Sequence, residues 1–127
     1  MRRCLVIDDA PLIRKIARMI LEQMRYEVQD AATAEEGLER CKERLPDIIL
    51  LDWHLPGTTA MQFLSGLRPL VAADSGSKPF VLYVTTDNDP VALSRAFNAG
   101  CDDFMMKPFT RADLEAKFGF LPAIAVA

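Results

Sequence analysis

Three apolar runs of this chain each lead into charged side chains, and this pattern constrains the fold more than any other feature of the sequence. Asp8 and Asp9 end the run LVIDD, Asp52 ends IILLD, and Lys107 stands in DFMMKPF. Continuous apolar runs of this length are typical of parallel strands that are covered on both faces. If the runs are strands of one sheet, three carboxylates and one ammonium group meet at the same edge.

Short apolar runs alternate along the chain with segments of helical periodicity, which predicts an α/β fold with a doubly wound parallel sheet. The five predicted strands cover residues 3–7, 26–30, 47–51, 80–84 and 103–106. The five predicted helices cover approximately residues 11–23, 34–44, 59–67, 90–99 and 111–118. Pro69 is expected to end the third helix, and residues 72–79 are expected to form an exposed loop.

The length of 127 residues, with 50% hydrophobic and 26% charged residues, predicts one folded domain over residues 1–127. The net charge of -3, without a dense run of Lys or Arg, argues against direct binding of nucleic acid. The residues after Met1 build neither a signal-peptide core nor a membrane span, so we expect a cytoplasmic location and no membrane partner. Cys4, Cys41 and Cys101 are widely spaced in apolar segments, which predicts reduced core thiols.

Right-handed crossovers bring the carboxyl ends of all parallel strands to one edge of the sheet. Asp8 and Asp9 follow the first predicted strand, Asp52 the third, Thr85 the fourth and Lys107 the fifth. Carboxylates that are gathered in one cleft repel each other unless a cation lies between them. Mg²⁺ prefers hard oxygen ligands and needs neither His nor Cys, so it is the expected cofactor.

Each of these residues also has a purely structural explanation. Asp8 and Asp9 can cap the following helix, and Asp52 can be a turn residue at a strand end. Thr85 can satisfy backbone groups, and Lys107 can be a solvated surface charge. Capping gives no reason for acids and a lysine to converge from four strand ends, so the functional interpretation is favoured.

Four segments of the chain, in this order, resemble the motifs of bacterial response regulator receiver domains, akin to the chemotaxis response regulator: LVIDD, LLDWHLPG, VLYVTT and MMKPFT. The resemblance covers almost the whole chain and implies a flavodoxin-like sheet with strand order 2-1-3-4-5. It implies that Asp52 is the phosphoacceptor. It also implies that Mg²⁺ is bound by Asp8, Asp9, Asp52 and the backbone carbonyl of His54.

The same resemblance assigns roles to residues of the last two strands. It implies that Thr85 and Lys107 contact the phosphoryl group, that Phe104 is the switch aromatic, and that the peptide bond between Lys107 and Pro108 is cis. Three further residues near the site are candidates for tuning the reaction: His54, Thr86 and Asp87. His54 itself is expected to be an exposed loop residue.

Some positions depart from the family pattern. Thr86 replaces a small residue and could narrow access to the phosphoacceptor, and Thr59 with Ala60 replaces the usual Asp-Gly. Gly119 and Pro122 interrupt the last helix, and residues 119–127 form an atypical apolar tail. That tail can pack on its own domain, reach a partner or pair two chains.

The resemblance implies phosphoryl transfer from a phosphohistidine to Asp52, with a two-state repacking as the output rather than enzymatic turnover. The implied partners are a histidine kinase or phosphotransfer protein and an unknown downstream protein, for a monomer or weak dimer. The alternative is a receiver-like interaction module that signals without phosphorylation. An aspartate-nucleophile phosphohydrolase would need a second Asp where His54 stands, and a flavin carrier would need a hydroxyl- or glycine-rich loop after the first strand.

Overall fold

One parallel five-stranded sheet forms the centre of the molecule, with strand order β2-β1-β3-β4-β5. The computed structural model describes residues 2–55, 57–74, 78–87 and 89–118. The strands are β1 (Arg3–Ile7), β2 (Glu27–Ala31), β3 (Ile48–Asp52), β4 (Phe80–Thr85) and β5 (Asp103–Met106). The helices are α1 (Pro11–Gln23), α2 (Ala34–Glu43), α3 (Ala60–Ala73), α4 (Pro90–Ala99) and α5 (Arg111–Phe118). The predicted fold class and strand order are confirmed.

Capping residues explain where three of the helices begin. The Thr33 side chain accepts a hydrogen bond from the N–H of Glu36 at the start of α2. Thr59 and Gln62 form a complete capping box at the start of α3, so the residues that replace the family's Asp-Gly serve as a helix start. Asp89 caps α4 by accepting from the N–H of Val91.

The two faces of the sheet carry separate hydrophobic clusters. On one face, Ile7, Leu51 and Tyr83 pack with Phe63 of α3 and with residues of α2 and α4. On the other face, alternate strand residues pack with α1 and α5, and Leu114 is fully buried there. Both faces are therefore covered, which is why β1 and β3 are continuous apolar runs rather than alternating ones.

The three cysteines are buried and free, as predicted. Burial raises the pKa of the Cys41 thiol to about 11 and that of Cys101 to about 12. These thiols are therefore core residues with little thiolate character at neutral pH. Within the described part of the chain, no helix has the length and apolar character needed to cross a membrane.

The predicted end of the third helix is wrong. Pro69 lies inside α3, which continues to Ala73, so the following loop begins at Asp74 rather than at residue 72. Proline in a helix removes one backbone hydrogen bond. Leu70 and Val71 pack against the core cluster beyond it, and their burial offsets that loss. Residues 75–77 of the predicted loop lie outside the described residues, as do 119–127, on which the predictions about the last helix and the tail depend.

We expect Pro69→Ala to raise the free energy of unfolding by about 1 to 3 kcal/mol, because the new N–H supplies the missing helical hydrogen bond and the ring no longer crowds the preceding turn. The measurement is urea denaturation with an unchanged m-value. Pro90→Ala is the matched control, since a proline in the first turn of a helix replaces an N–H that has no intrahelical partner. Equal stability of the two variants would show that α3 ends before Pro69 in solution.

Candidate functional site

Three aspartates converge at the carboxyl edge of the sheet. One carboxylate oxygen from each of Asp8, Asp9 and Asp52 lies within 4.8 Å of the others. The convergence follows from the topology, because β1 and β3 are neighbours and Ile7 pairs with Leu51 directly before the acids. Asp8 and Asp52 are each only 3% exposed, whereas Asp9 faces solvent.

Lys107 reaches this cluster from the end of β5. Its Nζ lies 2.7 Å from Oδ2 of Asp8 and 3.3 Å from Oδ1 of Asp52, and its side chain is only 15% exposed. Its backbone N–H donates to the carbonyl of Thr85 at 2.8 Å, and the Lys107–Pro108 peptide bond is cis, as the resemblance implied. The lysine is therefore an internal counter-ion and not a solvated surface charge.

Burial and like charge shift the acid–base behaviour of the cluster. Burial is the main cause that raises the pKa of Asp52, and the Asp8 carboxylate adds to it, although Lys107 and the N–H of His54 act in the opposite direction. Burial alone would lower the pKa of Lys107. Its hydrogen bond to Asp8 and the charges of Asp52 and Asp8 outweigh that effect and raise it.

The backbone near Asp8 also explains part of its position. Its Oδ1 accepts from the N–H of Ala10 at 2.9 Å, which forms a turn before α1, whereas no side chain caps that helix. Its backbone carbonyl accepts from the Arg14 guanidinium at 2.7 Å. Oδ2 remains for the lysine, so the turn and the charge cluster use different oxygens of one side chain.

Thr85 and His54 meet beside the acids, and sequence reasoning missed the contact of the histidine ring. Thr85 is fully buried, and its Oγ1 lies 3.3 Å from Nε2 of His54. The N–H of His54 donates to Oδ1 of Asp52 at 3.2 Å. His54 is exposed, as predicted, but it is not detached from the site. The contact arises because Asp52 pairs with Val84, which places the residues after β3 opposite the end of β4.

Other predicted residues stand apart from the carboxylates. Phe104 pairs with Tyr83 across β5 and β4, and its half-buried ring lies 5.2 Å from Nζ of Lys117. Thr86 is exposed directly after β4. Asp87 donates its backbone N–H to Oγ1 of Thr85 at 3.0 Å. Phe104 thus lies one strand further along the sheet than Thr85, whereas Asp87 contacts Thr85 directly.

The donor set fits a hard divalent cation. Among the described residues, three carboxylates cluster here and the ammonium group of Lys107 pairs with two of them, which leaves the carboxylates with more negative charge than the lysine balances. All the candidate ligand atoms are oxygens, and two of the three acids are buried. This chemistry suits Mg²⁺, which is usually held by one or two carboxylates together with water and phosphate oxygens.

The sequence of this chain is similar to those of known proteins. The family model described as response regulator receiver domain matches residues 4–118. The phosphate regulon transcriptional regulatory protein PhoB of Escherichia coli is 32% identical over 117 residues, which are 91% of this chain and 49% of PhoB. This chain therefore spans about half the length of the curated relatives it matches.

Solved structures show the same fold. The chemotaxis protein CheY4 of Vibrio cholerae superposes with a TM-score of 0.85 at 25% identity, over 94% of this chain and 97% of that one. A CheY-like response regulator receiver domain protein from Methanospirillum hungatei superposes with a TM-score of 0.82 at 30% identity, over 94% and 91% of the two chains.

We expect Asp52→Asn to increase the free energy of unfolding at pH 7 in the absence of divalent cations. The raised pKa of Asp52 means that the folded state holds its proton more tightly than the unfolded state, so stability falls as the pH rises through that pKa. The amide removes this charge, and the gain should shrink as the pH is lowered towards the ordinary aspartate pKa of about 3.9.

Urea denaturation at a series of pH values in EDTA measures this difference. Asp89→Asn is the matched control, because Asp89 lies outside the cluster and asparagine also caps helices well. A loss of stability on Asp52→Asn at pH 7 would contradict the repulsive character of the site.

Proposed function

The chain belongs to the response regulator receiver domain family, and from that premise we propose that it is the phosphoacceptor domain of a two-component system, phosphorylated on Asp52. The observation that carries the proposal is the convergence of three acids at the carboxyl edge of the sheet, where the largely buried Lys107 pairs with two of them. Receiver domains are signalling domains and not turnover enzymes. The proposed chemistry is therefore the transfer of one phosphoryl group to Asp52 and its later loss.

Asp52 acts as the nucleophile in this proposal. Within the described residues, Lys107 and the N–H of His54 both contact Oδ1, so Oδ2 is the oxygen that can attack phosphorus. Its new bond to phosphorus forms as the bond from phosphorus to the donor's histidine nitrogen breaks, and that nitrogen keeps the electron pair. No general base is needed, because the attacking group is a carboxylate.

Lys107 and the remaining acids organise the phosphoryl oxygens. Nζ of Lys107 already lies beside the attacking carboxylate and can donate to an incoming phosphoryl oxygen. Asp8, Asp9, Asp52 and the carbonyl of His54 would hold Mg²⁺, which when bound supplies positive charge that neutralises those oxygens. The family resemblance, rather than a measured contact, supports the role of the His54 carbonyl.

The output of the domain would be a repacking of β4 and β5. A phosphoryl group on Asp52 adds charge and acceptor oxygens that attract the Thr85 hydroxyl, and Phe104 then turns into the space that Thr85 leaves. His54, Thr86 and Asp87 surround this path and would tune its rate. The face formed by the last strands and helices then differs between the two states.

The proposed partners follow from this chemistry. A histidine kinase or a phosphotransfer protein would supply the phosphoryl group, and a downstream protein would bind the switched face. We propose a cytoplasmic domain that is a monomer or a weak dimer and that contacts neither nucleic acid nor a membrane. The curated relatives are about twice as long as this chain, so the proposal does not include the activities of the parts of those relatives that this chain does not match.

One observation also suits a receiver-like interaction module that is never phosphorylated. Lys107 already pairs with both Asp8 and Asp52, so the cluster is partly satisfied without a phosphoryl group. A labelling experiment separates the two functions, because only the proposed function requires covalent modification of Asp52.

Asp52→Asn should abolish labelling. Incubation of the wild-type chain with phosphoramidate and Mg²⁺, followed by intact mass measurement, should show the addition of one phosphoryl group, since this donor carries the same phosphorus–nitrogen bond as phosphohistidine. The Asp89→Asn control should be labelled like the wild type. Stoichiometric labelling of Asp52→Asn would refute the assignment of the nucleophile, and an unlabelled wild type would favour the interaction module.

Asp9→Asn should weaken Mg²⁺ binding by roughly tenfold or more, because affinity for hard cations depends strongly on the number of charged ligands. Asp9 is exposed, so its replacement should leave the fold intact. Isothermal titration calorimetry measures the affinity, and Asp89→Asn again serves as the control. Equal Mg²⁺ affinity in the two variants would remove Asp9 from the ligand set.

A further inference from the structure

The hydroxyl group of Thr85 is enclosed by protein. Within the described residues it makes two close polar contacts, and the hydroxyl of Tyr83 is a third polar neighbour, whose interaction with Thr85 acts to lower the Tyr83 pKa against the larger raising effect of burial. Thr85 is fully buried at the end of β4. Its Oγ1 accepts from the backbone N–H of Asp87 at 3.0 Å and lies 3.3 Å from Nε2 of His54. The ring of His54 therefore contacts the side chain to which the family resemblance assigns the switching movement.

The two close contacts of this hydroxyl differ in what they can offer. A threonine hydroxyl has one hydrogen to donate and two lone pairs to accept. The amide of Asp87 is a donor only, so it cannot accept the hydroxyl hydrogen. Nε2 of His54 can accept that hydrogen when the ring carries its proton on Nδ1. A protonated Nε2 could only donate, so Nε2 accepts the hydroxyl hydrogen only in the tautomer with the proton on Nδ1.

His54 also connects this hydroxyl to the proposed nucleophile. Its backbone N–H donates to Oδ1 of Asp52 at 3.2 Å, while its ring contacts Thr85. The preceding residue is fixed as well, since the N–H of Trp53 donates to the carbonyl of Val84 at 3.0 Å. The loop after β3 is therefore anchored to both β3 and β4, and the histidine ring extends from an anchored backbone.

We propose that the His54 side chain is a positioning group that holds the Thr85 hydroxyl in its unphosphorylated place. The positioning of Thr85 does not depend on the proposed phosphorylation of Asp52, whereas its effect on switching does. A phosphoryl oxygen on Asp52 competes with His54 for the hydroxyl hydrogen of Thr85, and the switch includes the exchange of one acceptor for the other. The ring is exposed, so after the exchange water satisfies its nitrogen.

His54 thereby sets how readily the domain switches. Without the ring, the hydroxyl hydrogen loses its contact with Nε2 in the unphosphorylated state, and that state loses stability relative to the switched one. The net value of one hydrogen bond corresponds to a shift of about 2- to 10-fold in this equilibrium. The backbone carbonyl of residue 54 remains in every side-chain variant, so a change of side chain leaves that proposed metal ligand in place.

The first test uses the unphosphorylated chain. Three-bond couplings from the Thr85 methyl carbon to its backbone nitrogen and carbonyl carbon report the populations of the χ1 rotamers. The wild type should show one dominant rotamer, and His54→Ala should show averaging between rotamers. A single, unchanged rotamer in His54→Ala would overturn the proposal, because packing alone would then position the hydroxyl.

His54→Gln is the matched variant. The amide oxygen Oε1 of Gln lies three bonds from Cβ, as does Nε2 of His, so it can accept the Thr85 hydroxyl hydrogen from the same backbone position. The single rotamer of Thr85 should therefore return in His54→Gln. Averaging in both variants would overturn the assignment of a hydrogen bond, because it would show that the bulk of the ring matters instead.

The second test measures the switch itself with beryllium fluoride, a mimic of the phosphoryl group, in the presence of Mg²⁺. His54→Ala should bind the mimic about 2- to 10-fold more tightly than the wild type, and His54→Gln should bind it like the wild type. Equal or weaker binding by His54→Ala would overturn the proposal. Failure of the wild type to be labelled by phosphoramidate would count against the phosphoacceptor function alone, since the rotamer test requires no phosphorylation.

Discussion

The pairing of Lys107 with two buried carboxylates is the interaction on which the site depends. Asp8 and Asp52 lie close enough to repel each other, and the parallel sheet offers no means of separating them because β1 and β3 are neighbours. The lysine offsets part of that repulsion from β5, on the far side of β4. The charge cluster therefore depends on the fold, since this strand order brings the lysine to both acids.

Most of the architecture could be predicted from local signals. Continuous apolar runs identified the central strands, and Thr33 and Gly100 marked the start of one helix and the end of another where the structure has them. The convergence of Asp8, Asp9 and Lys107 followed from a topological rule and needed no side-chain detail. The apolar runs and helix caps that predict this fold are thus local in the sequence, and the convergence at the sheet edge is a property of all parallel sheets.

The failures have a different physical origin. Proline is a strong local signal, but the helix around Pro69 is held by the burial of Leu70 and Val71 against a core that is assembled from distant segments. The contact between His54 and Thr85 joins residues 31 positions apart and depends on a side-chain rotamer. Neither helix propensity nor hydrophobic periodicity carries information about contacts between distant segments. Tertiary packing therefore overrides the predicted helix end at Pro69, and it creates the contact between His54 and Thr85 that was not predicted.

The position of the single tryptophan has a practical consequence. Trp53 directly follows the proposed phosphoacceptor, and its ring packs edge-on against Tyr83 with centroids 4.5 Å apart. Tyr83 in turn lies beside Phe104 in the strand register. An indole in this place senses both the acidic edge and the aromatic residues beneath it. The protein thus carries its own optical reporter, and its intrinsic emission can follow events at the site in real time without an attached dye.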